Sequence, residues 1–270
     1  MLPGLVAGPE DTVLFALDGP VATITLNRPQ RLNALDDELL RTLVGRLRGC
    51  AGGEARVVIL RGAGRSFCSG YDLKEAPRPA SEDLAEARRS AELTQEVTRA
   101  LRSLPLPVIA VVHGYAIGGG AEIALSCDLL LAAEDAVFGF PESAVGLSVT
   151  NGLSRSLPQL VGPMVARELV MVGERFDGRR AAELGLANRA VPGERLEAEA
   201  AAMAATLARR APLSLAALKR LLDRSPGLDL EQALEAEVAE AAALEASADA
   251  DEGKQAFLER REPRFRGGDA

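Results

Sequence analysis

Apolar residues recur along this chain with two periods, and the switches between them mark its elements. Residues 13–17 and 21–26 are strand-like, and Asp18-Gly19-Pro20 between them is turn chemistry that predicts a hairpin. After Asn27-Arg28-Pro29 the period lengthens. Leu39, Leu40, Leu43, Val44 and Leu47 fall at helical spacing, with Asp36, Asp37 and Glu38 at the positive helix start, so a helix is expected to end near Gly49. Residues 57–60 read as a short buried strand, broken by Gly62-Ala63-Gly64. A helical pattern over 81–104 stops before Leu106-Pro107, and 108–112 is again a buried strand. The run Gly118-Gly119-Gly120 opens into an alanine-rich helix over 121–126, followed by a strand candidate over 129–132. Strand, loop and helix in repeated order predict an α/β architecture with function on the strand-to-helix loops.

Beyond Arg195 the chain turns alanine- and glutamate-rich. Leu196, Ala200, Met203, Ala204 and Leu207 form one apolar stripe, and Leu230, Leu234, Val238, Ala241 and Leu244 form another. A main unit over 1–195 and a helical region over 196–270 are therefore expected, the narrow stripes suiting either a partner subunit or packing within the chain. With 270 residues, 47% hydrophobic and 26% charged, a substantial core can form. A net charge of −8 argues against a nucleic-acid-binding surface, which needs clustered Lys and Arg. Cys50, Cys68 and Cys127 are far apart and lack paired spacing, so neither a disulfide framework nor a metal site is indicated, and a reducing cytoplasm is expected. The first residues have no basic flank, and no apolar run reaches the roughly 18 residues of a membrane span, so neither a secretory signal nor membrane association is expected.

Three glycines at a helix start let a ligand approach the backbone closely, and the free amides there favour negative charge, which suits an oxyanion site, while glycines serve tight turns and close helix packing as well. Neither the dinucleotide pattern GxGxxG after an early strand nor GK[ST] is present. Glu122 follows within the first turns of that helix, and Glu142 follows Phe138-Gly139-Phe140-Pro141 in a loop. Two carboxylates in unlike surroundings can divide acid and base roles, whereas the plainer role for Glu122 is to cap its helix or pair with a cation. His113, the sole histidine, has no G-x-S-x-G serine to serve and reads as hydrogen-bonded structure. Cys68, with no histidine near it in sequence, reads as a small apolar loop residue.

Taken in order, Leu26-Asn27-Arg28-Pro29, Asn33-Ala34-Leu35, Ser66-Phe67-Cys68-Ser69-Gly70-Tyr71-Asp72-Leu73-Lys74, the stretch 114–122 and Phe138-Gly139-Phe140-Pro141-Glu142 resemble the crotonase (enoyl-CoA hydratase/isomerase) superfamily. The resemblance runs from the hairpin to Phe257-Leu258-Glu259-Arg260-Arg261. It implies a crotonase-like α/β fold, a ββα spiral followed by a C-terminal helical trimerisation segment, assembled as a homo-trimer or dimer of trimers. It also implies an acyl-CoA substrate and no cofactor beyond its coenzyme A moiety.

By motif position, the amides of Tyr71 and Gly119 would hold the thioester oxygen, and Glu122 and Glu142 would orient a water and supply a proton. The substrate would also meet Ser69, Gly70, Asp72, Leu73 and Gly118. Coenzyme A would lie along Arg28, Arg31, Asn33 and Ala34 and along 71–74, with Arg31 and Lys74 as the cations. Phe257, with Phe265, would close over the ligand or a neighbouring subunit. The expected activity is reversible hydration of an enoyl-CoA. The alternatives are an isomerase or dehydratase acting on a specialised acyl-CoA, and a non-catalytic acyl-CoA-binding relative. Where many hydratases carry a glycine-rich stretch after the second glutamate, this chain has Thr150 and Asn151. If these face the pocket they select a polar substrate; if they face away they shape a turn.

Overall fold

The structure, a computed structural model, describes residues 11–73 and 84–267. The hairpin forms as expected from β1 (Val13–Asp18) and β2 (Val21–Leu26), paired antiparallel with Val13 opposite Leu26. Helix α1 (Asp37–Cys50) follows, its first turn capped by the Asp36 carboxylate, which accepts the Leu39 amide at 2.8 Å. All five residues of its sequence stripe are buried, which for a leucine contributes about 1.5–3 kcal/mol each.

The chain then adds β3 (Val57–Gly62), α2 (Leu84–Ser103), β4 (Val108–Val112) and the short β5 (Tyr115–Ile117). Next come α3 (Gly119–Ser126), β6 (Leu129–Ala133), β7 (Val137–Gly139), α4 (Leu153–Val161), α5 (Pro163–Met171), β8 (Phe176–Asp177), α6 (Gly178–Glu183) and β9 (Arg189–Val191). Four helices finish the described chain: α7 (Leu196–Ala208), α8 (Pro212–Arg224), α9 (Leu230–Glu245) and α10 (Ala248–Glu259).

Six strands form one sheet in the order β1-β2-β3-β4-β6-β9, parallel from β2 onward. Both faces of its centre are covered, so β4 is buried at every residue and reads Val-Ile-Ala-Val-Val without alternation. The small sheet β5-β7-β8 stands beside the strand ends and carries the functional loops. Helix α7 packs on β2, β3, β4 and β6, so its stripe of Leu196, Ala200 and Ala204 belongs to the main core. The stripe on α9 differs: Leu230, Leu234 and Val238 are exposed in the single chain. Among the described residues, no helix is long and apolar enough to cross a membrane.

Candidate active site

The loop 66–72 is held between two segments, and this arrangement aims its amides. On one side Phe67 N donates to His113 O and Cys68 N to Tyr115 O, both at 2.8 Å, while Ile117 N donates back to Cys68 O at 3.1 Å. On the other, Leu35 N donates to Gly70 O at 2.8 Å and Asp72 N to Leu35 O at 3.0 Å. Tyr71 lies between, and its own amide has no protein acceptor among the described residues. Gly119 is the first residue of α3, where an amide has no intrahelical partner, and it too is unclaimed. The Tyr71 ring lies over it: a Cβ built on Gly119 would stand 3.5 Å from Tyr71 Cε2. Two unclaimed amides on adjoining loops are what an oxyanion requires.

Close approach depends on glycine here. A Cβ at Gly120 would sit 2.4 Å from Cys68 O, and one at Gly118, where φ is +52°, would sit 2.7 Å from Glu142 Oε1. Gly118 N also donates to Gly139 O at 2.9 Å, tying the start of α3 to β7. From β7 the chain passes through Phe140-Pro141 into a 3₁₀ turn, Glu142–Val145. Phe138 stacks on Phe176 at 5.7 Å and Phe140 tilts against the same ring at 6.3 Å, so Phe140 is core and the strand delivering Glu142 is anchored by aromatic contacts.

The two carboxylates meet one cleft of about 780 Å³, whose walls are mostly apolar, Leu35, Ile117, Leu147 and Val149 among them. Their settings differ. Glu122 is 2% exposed and accepts hydrogen bonds from Thr150 N at 2.9 Å, Asn151 Nδ2 at 3.1 Å and the Thr150 hydroxyl. Glu142 Oε2 is buried without a protein donor among the described residues. Burial raises the Glu142 carboxyl above the ordinary range; its own backbone amide opposes that rise and the Glu122 charge adds to it. A carboxyl group raised in this way can keep a proton for delivery.

Of the residues expected to meet ligand, the cleft gathers Ser69, Gly70, Tyr71, Asp72, Leu73, Gly118, Gly119 and Thr150 with both glutamates. Arg28, Asn33 and Ala34 are not on its wall. The Arg28 guanidinium is buried between Asp36 at 3.0 Å and Asp72 at 3.3 Å and donates to Ala34 O at 2.7 Å. Asn33 accepts the Arg28 amide at 2.8 Å and donates to Ala63 O, Ser66 O and Phe67 O. These side chains brace the loops that supply the amides. Arg31 is exposed on the neighbouring turn, and Lys74 lies outside the described residues.

Asn151 is buried against Glu122, so Thr150 and Asn151 neither face an acyl chain alone nor merely shape a turn. Phe257, on α10, is 83% exposed and not on the cleft wall. His113 Nε2 lies 2.9 Å from Gly64 O, a structural bond, and burial pushes the Cys68 thiol up to about 12, which leaves no thiolate nucleophile. Sequence reasoning missed Thr98, whose hydroxyl donates to Asn151 Oδ1 at 2.8 Å. A polar residue on an otherwise ordinary helix gave no signal.

Compared with known proteins, the chain matches the enoyl-CoA hydratase/isomerase family profile over residues 17–268. It is 36% identical to a Bacillus subtilis protein named "Probable enoyl-CoA hydratase", with 95% of this chain and 99% of the relative covered. It is likewise 36% identical to the 2,3-dehydroadipyl-CoA hydratase of Escherichia coli, covering 92% and 95%. The solved structure of an enoyl-CoA hydratase from a Polaromonas species superposes with a TM-score of 0.91 at 34% identity, covering 94% of this chain and 99% of that one. Similarity of this extent in sequence and fold accompanies the paired amides and paired carboxyl groups, and the chain belongs to the enoyl-CoA hydratase/isomerase family.

Proposed function

We propose that the chain is an enoyl-CoA hydratase, adding water reversibly across the 2,3 double bond of an enoyl-CoA. The observation that carries this reading is the pair of carboxyl groups in one cleft, Glu122 held by donors and Glu142 poised to keep a proton, opposite the unclaimed amides of Tyr71 and Gly119. The amides bind the thioester oxygen as it gains charge, and each such donor typically contributes about 3 kcal/mol to the transition state. As the oxygen of a water held by the two carboxyl groups bonds to Cβ, one of its protons passes to Glu122 while Glu142 gives its own proton to Cα, and the proton on Glu122 returns to Glu142 before the next turnover. Ser69, Gly70, Asp72, Leu73 and Gly118 line the thioester's path. Coenzyme A passes Arg31 and the 71–74 segment, while Arg28, Asn33 and Ala34 support that loop. The reaction calls for no cofactor beyond the coenzyme A of the substrate.

A homo-trimer or dimer of trimers is part of the proposal. The exposed stripe of Leu230, Leu234 and Val238 supports it, as does Phe257, available to a neighbouring subunit. A cytoplasmic location accords with three free cysteines, all buried. The test is loss of enoyl-thioester absorbance on crotonyl-CoA and a longer enoyl-CoA, with wild type, Glu122→Gln and Glu142→Gln. Wild type should react, and each substitution should lower kcat at least about a hundredfold. Double-bond migration without water uptake would instead make the chain an isomerase, a reading favoured by the donor-crowded Glu122, which leaves Glu142 to move protons.

A further inference from the structure

The turn after the Glu142 loop is polar where an acyl pocket favours apolar walls, and three of its donors converge on one carboxylate. On Glu122, Oε1 accepts the Thr150 amide, while Oε2 accepts the Thr150 hydroxyl and Asn151 Nδ2. A carboxylate offers about four lone-pair sites, so among the described residues three are filled and the remaining one is on Oε1. Asn151 is itself oriented from behind. Thr98 on α2 donates to its Oδ1 at 2.8 Å, which turns the amide nitrogen toward Glu122. Thr98 Oγ1 also stands 3.0 Å from Ser126 Oγ, and Ser126 donates to the Glu122 carbonyl at 2.9 Å, closing a ring of polar groups on α3. Asn151 adopts φ +51°, a left-handed conformation that asparagine tolerates better than most residues. Local strain of this kind persists where the surroundings hold it in place.

We propose that Thr150 and Asn151 are positioning residues that hold Glu122 as a fixed anion with one open acceptor site, on Oε1, so that the reacting water has a single place to bind. The water rests on the hydratase reading; the holding of the charge does not. Thr98 sets the Asn151 amide, and through it helix α2 fixes the catalytic carboxylate. Glu142, whose buried Oε2 has no protein donor among the described residues, is left as the carboxyl group that carries the proton.

The test uses the full chain with isotope-labelled glutamate carboxyl carbons, the Glu122 signal being assigned by its loss in Glu122→Gln. Thr150→Val removes the hydroxyl at nearly constant volume, Thr150→Ser restores it, and Asn151→Gly removes the amide while tolerating the left-handed backbone. At neutral pH the Glu122 carboxyl resonance should move in Thr150→Val and in Asn151→Gly, and return toward wild type in Thr150→Ser. On crotonyl-CoA the first two should lose about tenfold in kcat with KM within about twofold. A Glu122 resonance unmoved in both variants overturns the proposal whatever the kinetics. A resonance that moves in the variants of a protein whose wild type hydrates nothing overturns the hydratase reading and leaves the positioning role standing.

Discussion

Glu122 and Glu142 have the same side chain, and their surroundings set them apart. Glu122 takes three donors, whereas Glu142 has a buried oxygen without one and a carboxyl raised by that burial. A carboxyl raised in the folded state favours folding fully below the ordinary carboxyl range, and that contribution is lost as pH rises through the raised value. Glu142→Gln cannot ionise, so it should escape the loss. Its urea midpoint should exceed that of wild type at pH 8 and approach it at pH 4, while hydration is abolished. Equal midpoints at pH 8 would contradict the raised carboxyl. A gain in stability at the expense of activity is the mark of a residue kept for chemistry. Both glutamates were legible in the sequence from their places after the glycines and after Phe138-Gly139-Phe140-Pro141. The clamp on Glu122 was not, because hydrogen bonding between residues 28 and 29 positions apart leaves no local pattern.

At the scale of elements, α8 is fastened to the sheet by one buried cation. Lys219 Nζ lies 2.7 Å from Asp128 Oδ2 and donates to Leu101 O at 2.8 Å and Leu106 O at 3.1 Å, while Asp128 also accepts the Val108 amide. Burial raises the Asp128 carboxyl and the Lys219 charge pulls it back, so the aspartate depends on its partner. Lys219→Met should cost about 3–5 kcal/mol in chemical denaturation, and adding Asp128→Asn should recover much of it. A loss below about 1 kcal/mol would show that water replaces the lysine. Elements with a clear apolar pattern were readable in advance: the alternating hairpin, the amphipathic α1 and the wholly apolar run of β4 fall where that pattern put them. The strands β5, β7, β8 and β9, two or three residues each, are too short to show a period. In α4 and α5, exposed Leu160, Met164 and Met171 blur the stripe, and Pro158 lies inside the first helix.

Across the whole molecule, the parts of the candidate site come from three supports, a loop, a helix and a turn. One amide comes from a loop laced to β5, the other from the start of α3, one carboxyl from α3 and the other from a turn after β7. The α/β class was visible from the order of strand and helix patterns, since a parallel sheet needs crossovers. The small second sheet was not, and the Tyr71 amide was reached only through the family resemblance, because a backbone amide has no residue type to betray it. The placement of Tyr71 has an optical consequence. The chain has no tryptophan and only two tyrosines; Tyr115 lies on β5 beneath an Arg175 guanidinium 6.0 Å away, and Tyr71 lies over Gly119 in the cleft. Ultraviolet emission therefore comes from one ring within the cleft and one on the strand behind it. Titrating in a saturated acyl-CoA should change that emission, and Tyr71→Phe should remove most of the response while Tyr115→Phe retains it. The protein thus contains its own reporter of occupancy, with no dye or engineered label to disturb the pocket.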